Sequence, residues 1–200
     1  DNFSVWYWAA LTQLHAGERE GYRSSCSAML ERFAATEDAQ TANFTAWSCA
    51  LADGAVDDYS IPITLAEHAV AKDPGNDFHL KNLGAVLYRA GRFDGALARL
   101  DEVASLQGEP DAQANSSAAY TWYFLAMTHY RLGNVDEARK WYDKAAAWTS
   151  EVLAPESEDG TAKPSVPWNR RLTLELLHAE TEQLLGIAAA ETTPEQEPAQ

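Results

Sequence analysis

Apolar positions recur at helical spacing along the middle of the chain. Leu80, Leu83, Gly84 and Leu87 line one helix face; Gly91 interrupts, and Phe93, Ala96, Leu100 and Val103 resume the pattern. Trp122, Leu125, Ala126 and His129 repeat the design, Leu132-Gly133-Asn134 interrupts it, and Val135, Ala138, Tyr142 and Ala145 complete it. Leu83 and Leu125, Arg89 and Arg131, Gly91 and Gly133, and Ala96 and Ala138 stand at one constant offset of 42. Each copy predicts a helix, a tight glycine turn and a second helix. The turn favours a residue that tolerates positive φ. Gly84, Ala96, Ala126 and Ala138 are small where two helices must approach closely.

The pattern extends in both directions. "LAEHAVAKDPGN", residues 65–76, ends an earlier unit with Ala69 and Pro74 in place. That unit's first helix is weak, with Ala46, Cys49, Ala50 and Asp53 at its four marked places. The first unit runs from Trp6, Ala9, Ala10 and Gln13, turns at Gly17, and continues through Tyr22, Cys26, Met29 and Phe33. These residues resemble a tetratricopeptide repeat, a unit of about 34 residues marked W-x2-L-G-x2-Y, A-x3-F and P. The resemblance implies an all-α solenoid of about four helical hairpins plus a C-terminal capping helix. Units fall near 3–36, 43–76, 77–110 and 119–150, so that 1–150 is the repeat array. Extra residues between units are placed in the connections 34–41 and 107–117.

Residues 151–166 read as a loop. "PWNRRLTLELLHAETEQLL" then reads as an amphipathic helix over 167–186, with Leu172, Leu174, Leu176, Leu177 and Leu184 on its apolar side. A repeat array needs a cover on its last apolar face. Residues 187–200 hold three Glu, two Pro and no basic residue, and are expected to be a disordered tail or linker.

Phrases such as "GEREGYRSSCSAMLERF", "TANFTAWSCAL" and "PWNRRLTLELL" narrow the resemblance. They look like the C-terminal tetratricopeptide region of large planctomycete, hence bacterial, proteins that often carry a serine/threonine kinase domain, WD40 repeats or both. No Gly-rich phosphate loop, HRD or DFG occurs here. Any kinase activity would belong to another part of such a parent. The chain starts at Asp1 rather than Met, so a piece of a longer protein is expected.

Composition removes several functions. Thirty acidic residues against 15 basic ones give a net charge of −15, the opposite of a nucleic-acid footprint. No apolar run reaches the ~20 residues of a membrane span, and no signal peptide is visible. A cytoplasmic location is expected. Cys26 and Cys49 lie in apolar, helix-like stretches without a CxxC unit, which predicts buried free thiols. The five histidines form neither HxH nor HExxH, so no metal is expected, and no cofactor. The acidic run 156–159 reads as an exposed loop. No G-x-S-x-G elbow occurs, and N-x-[ST] matches at Asn2, Asn43 and Asn115 are of a kind that arises by chance. We therefore expect no catalysis.

Binding is the expected work. In arrays of the resembled type the first helix of each unit lines a concave groove. Groove positions here read Tyr7 and Leu11, Trp47 and Leu51, Lys81, Ala85 and Tyr88, then Tyr123, Met127 and Tyr130, with Arg89 and Arg131 at the helix ends. This predicts an aromatic groove edged with positive charge, suited to a protein or peptide of acidic and apolar character. The Asn-and-Lys set that clamps a C-terminal carboxylate in some such domains is missing. A monomer or weak dimer is expected. The alternative is an architectural or intramolecular regulatory module of a larger kinase-type protein. A third arrangement has the last helix, or the loop before it, folding back into the groove.

Overall fold

In a computed structural model, the structure describes residues 2–107, 116–154 and 166–187. Most of the expected loop 151–166 and of the expected tail 187–200, and the middle of the 107–117 connection, lie outside the described residues. The described chain holds nine helices and no strand: α1 Phe3–His15, α2 Arg19–Phe33, α3 Ala39–Ala50, α4 Ser60–Lys72, α5 Asp77–Arg89, α6 Phe93–Gln107, α7 Ser116–Arg131, α8 Val135–Leu153 and α9 Trp168–Leu185. The first eight form four consecutive hairpins.

Local chemistry sets several boundaries. The Asn2, Asp38 and Asn76 side chains accept backbone N–H groups at the starts of α1, α3 and α5. Asp38 makes α3 begin at Ala39, ahead of the expected unit start at 43. The extra residues of that unit therefore lie inside the hairpin, between Ala50 and Ser60. The other three hairpins turn at Gly17, Gly91 and Gly133, with φ of 76°, 72° and 82°. A Cβ at Gly84 would sit 2.7 Å from Cγ of Leu100, so α5 and α6 touch there without a side chain between them. Ala96, Ala126 and Ala138 are wholly buried.

Neighbouring hairpins stack. The helices α1, α3, α5 and α7 form an inner layer, each packed on the next, while α2, α4 and α6 each also pack on the inner helix that follows. The Tyr22 hydroxyl donates to the Ser48 carbonyl at 2.9 Å, and Asn82 donates to Asn43 at 2.9 Å across α5 and α3. Cys26 and Cys49 are free and buried. The inner layer then closes on itself, because α9 packs on α7, α8 and α1.

Candidate functional site: the concave face and the helix that lies on it

The expected groove positions are not open to solvent. Tyr7, Leu11, Trp47, Leu51, Lys81, Ala85, Tyr88, Tyr123 and Met127 are all buried. Tyr130 is half-buried, and Arg131 is exposed. The exposure expected of this face is thus corrected for all but its last two residues. Strong curvature of the inner layer brings its bulky side chains together. Trp47 of α3 stacks on Tyr120 of α7 at 5.8 Å and meets Phe124 edge-on at 6.1 Å. Tyr88 meets Phe124 at 5.8 Å, and Tyr7 meets Phe44 at 5.7 Å. Two sets emerge: Tyr7, Trp47, Lys81 and Tyr88 are packed by the inner layer itself, whereas Arg89 and Tyr123 also meet α9.

Lys81 is the unusual member of the first set. Its ammonium lies 4.0, 4.7 and 5.1 Å from the ring centres of Phe78, Trp47 and Tyr120, and the residue is 1% exposed. Ring faces attract a cation, but removal from water disfavours the charge more strongly. Burial pulls the amine down to about 7, opposed by Asp77 and helped by Arg170 of α9. Lys81 is therefore not a surface charge available to a ligand.

Arg89 joins four helices. Its Nε donates to the Ala50 carbonyl at 2.9 Å, at the carbonyl-rich end of α3. Its carbon Cζ lies 5.4 Å from the ring centres of Tyr88 on α5 and Phe124 on α7. Its two terminal nitrogens donate to the two carboxylate oxygens of Glu180 on α9, Nη2 to Oε2 at 2.7 Å. Burial alone would lower the guanidinium pKa; the Glu180 charge and hydrogen bonds more than offset this and hold it above its ordinary value. The side chain of Arg89 is 2% exposed and that of Glu180 28%. Arg131, the equivalent residue one copy later, interacts with the Tyr88 hydroxyl and stays at the rim.

The rest of the α9 seat mixes apolar and polar contacts. Leu174 and Leu177 are wholly buried. The Tyr123 hydroxyl donates to Thr149 at 2.9 Å and lies 3.0 Å from Nδ1 of His178. Tyr142 donates to Glu182 at 2.9 Å, and the Tyr120 hydroxyl to the Arg170 carbonyl at 3.3 Å. Burial, then the Glu182 hydrogen bond, raises the Tyr142 phenol, while burial pushes Tyr123 up to about 12. Trp168 meets Trp8 of α1 edge-on at 6.1 Å, and both rings keep nearly half of their exposure. Glu180, His178 and Glu182 escaped the sequence reading. Their signal was present only in part, since α9 offers apolar leucines and three glutamates but also Arg170 and Arg171.

An open cleft of about 440 Å³ lies behind Arg89, lined by Asp57, Asp58, Tyr59, Ser60 and Arg92 among others. Its carboxylates are engaged: Asp57 with Arg23 at 2.9 Å, and Asp58 with the start of α4 through Ser60. Among the described residues, no group of three or more His, Cys, Asp or Glu is placed to hold a metal ion. No described helix is long and apolar enough to cross a membrane.

Sequence comparisons agree with the hairpin geometry. Residues 119–150 match a family described as tetratricopeptide repeat, and residues 79–108 match a second family of the same description. No curated protein matches the chain in sequence. A solved structure described as "MamA RS-1 ArsTM double mutant" is 13% identical, with a TM-score of 0.43 over 96% of this chain and 98% of that one. Two of the four hairpins thus match tetratricopeptide repeats by sequence, within an all-α array of stacked hairpins.

Proposed function

We propose that this chain is a non-catalytic protein–protein interaction module that takes a protein or peptide partner on its concave face. The observation that supports this most directly is that the face already carries a helix. The amphipathic α9 is seated through Leu174, Leu177 and the Arg89–Glu180 pair. Laying an amphipathic helix into a groove is a common mode of protein recognition. Tyr123 and Arg89 would contact a partner directly, with Tyr130 and Arg131 at the accessible rim. Tyr7, Trp47, Lys81, Tyr88 and Met127 would shape the floor beneath them. In a parent of the kind resembled, the module would act in cytoplasmic assembly beside a kinase or WD40 region, as a monomer or weak dimer.

A second reading has its own observation. Because α9 belongs to the same chain and closes α7 onto α1, the array would be an architectural or intramolecular regulatory unit.

Selection of a displayed peptide library on the full chain tests the interaction reading. Recovered binders should lose at least about tenfold in affinity for a Tyr130→Ala/Arg131→Glu variant, whose changes lie at the rim. A selection that yields no binder, or only binders indifferent to that variant, would remove the concave face as the interaction site.

A further inference from the structure

We propose that the concave face recognises an amphipathic helical partner segment that brings a carboxylate to Arg89, and that α9 is the intramolecular stand-in which this segment displaces. The partner would present Leu, Leu and Glu at the spacing of Leu174, Leu177 and Glu180. The inference rests on the interaction reading above and specifies its ligand.

The seat of α9 resembles an interface more than a core. Only two of its leucines, Leu174 and Leu177, are fully buried; Leu172, Leu176, Leu184 and Leu185 are half-buried. Around this small apolar centre lies a rim of polar contacts, the arrangement of a protein–protein interface. Beside it is a charge pair in which the Arg89 side chain is buried and Glu180 is partly exposed. A permanently packed helix gains little from such a pair, since a well-packed apolar replacement is often neutral or more stable. A recognition site gains selectivity, because a ligand without the carboxylate leaves the Arg89 charge unpaired. The array holds Arg89 ready for this role. Its remaining hydrogen bonds go to the backbone carbonyls of Ala50 and Leu51, and two aromatic faces flank it. These partners orient the guanidinium without neutralising it, so its carboxylate comes from α9.

The test uses the full chain and a fluorescent peptide comprising residues 166–187. The wild-type seat is occupied, so its apparent affinity is reduced by the fraction of time α9 is in place. Leu177→Asp in the chain should raise affinity for the peptide by at least about tenfold. A peptide carrying Glu180→Lys should bind that chain at least about tenfold more weakly than the unaltered peptide. In the wild-type chain, saturating isotopically labelled peptide should accelerate amide exchange in α9 while α7 remains protected. If Leu177→Asp disrupts the fold, the chain variant Glu180→Lys and the wild-type exchange experiment decide.

Four results would overturn the inference. One is a Leu177→Asp chain that keeps α1–α8 protected yet does not bind the peptide. Another is equal binding to both chains with α9 protection unchanged. The third is a concentration-dependent wild-type dimer exchanging α9, which would assign the seat to a second copy. Library binders that need Arg131 but leave α9 in place would also overturn it, while leaving the interaction reading standing.

Discussion

Gly84 and Lys81 stand one helical turn apart on α5 and illustrate two kinds of constraint. At Gly84 the constraint is space. A Cβ there would meet Leu100, which is itself wholly buried, at 2.7 Å. Gly84→Leu should destabilise the fold by ~1–3 kcal/mol or more through overpacking. A urea midpoint equal to the parent's would refute that packing. At Lys81 the constraint is charge. Its amine is held at about 7 in the folded chain against an ordinary 10.5. Between these values the unfolded chain binds more protons, so stability should rise with pH. Below 7 both states hold the proton and the burial penalty is fully present. The rise should amount to about 1–2 kcal/mol from pH 7 to 8.5. Above that, Cys49, whose thiol is held up by the Cys26 hydrogen bond and by burial, and then Tyr59 and Tyr123, pushed up to about 12 by burial, oppose it as the unfolded groups ionise first. Urea titrations stepped between pH 7 and 8.5 should show the rise in the parent and little change in Lys81→Met. A rise that persists in the variant would place its source elsewhere.

At the scale of elements, α9 differs from the eight helices before it. Those helices pair with sequence neighbours, so their partners follow from chain order. By contrast, α9 touches the first helix as well as the last hairpin. In an open array each repeat contacts only its neighbours, and damage at one end stays local. Here Leu174→Ala should cost ~2–4 kcal/mol, as for other buried leucines. It should also lower amide protection in α1, at the far end of the sequence, together with that of α9. Hydrogen exchange measured by segment checks this. Loss confined to α8 and α9 would show that contact with α1 adds nothing to its stability.

At the scale of the whole molecule, curvature decides what the inner face becomes. Side chains one and five places past the first marked position of each repeat would line an open groove in a gently curved array. Here Trp47, Tyr120, Phe124 and Tyr88 meet across the concave side, and α9 covers Arg89 and Tyr123. The aromatic character that suggested a binding surface therefore serves packing at Trp47 and Tyr88. It meets another helix at Tyr123 and reaches solvent in part at Tyr130. Net negative charge stays on the outside, where it opposes association with other acidic surfaces.

The helices and their turns were legible because they depend on local rules. Apolar residues at three-and-four spacing specify a helix face, and a glycine at positive φ specifies where the chain reverses. Gly91 and Gly133 could be placed from sequence alone, as could the close approach at Gly84. The start of α3 was less legible, since Asp38 caps that helix ahead of the repeat frame. How tightly the four hairpins curve was not written in any one of them. Small rotations between stacked repeats accumulate, and their sum determines whether Trp47 reaches Tyr120 or faces solvent. The pairing of Arg89 with Glu180 joins residues 91 apart in sequence. No spacing rule links them; only the closed tertiary structure brings the carboxylate to the guanidinium, because α9 must first fold back onto the inner layer.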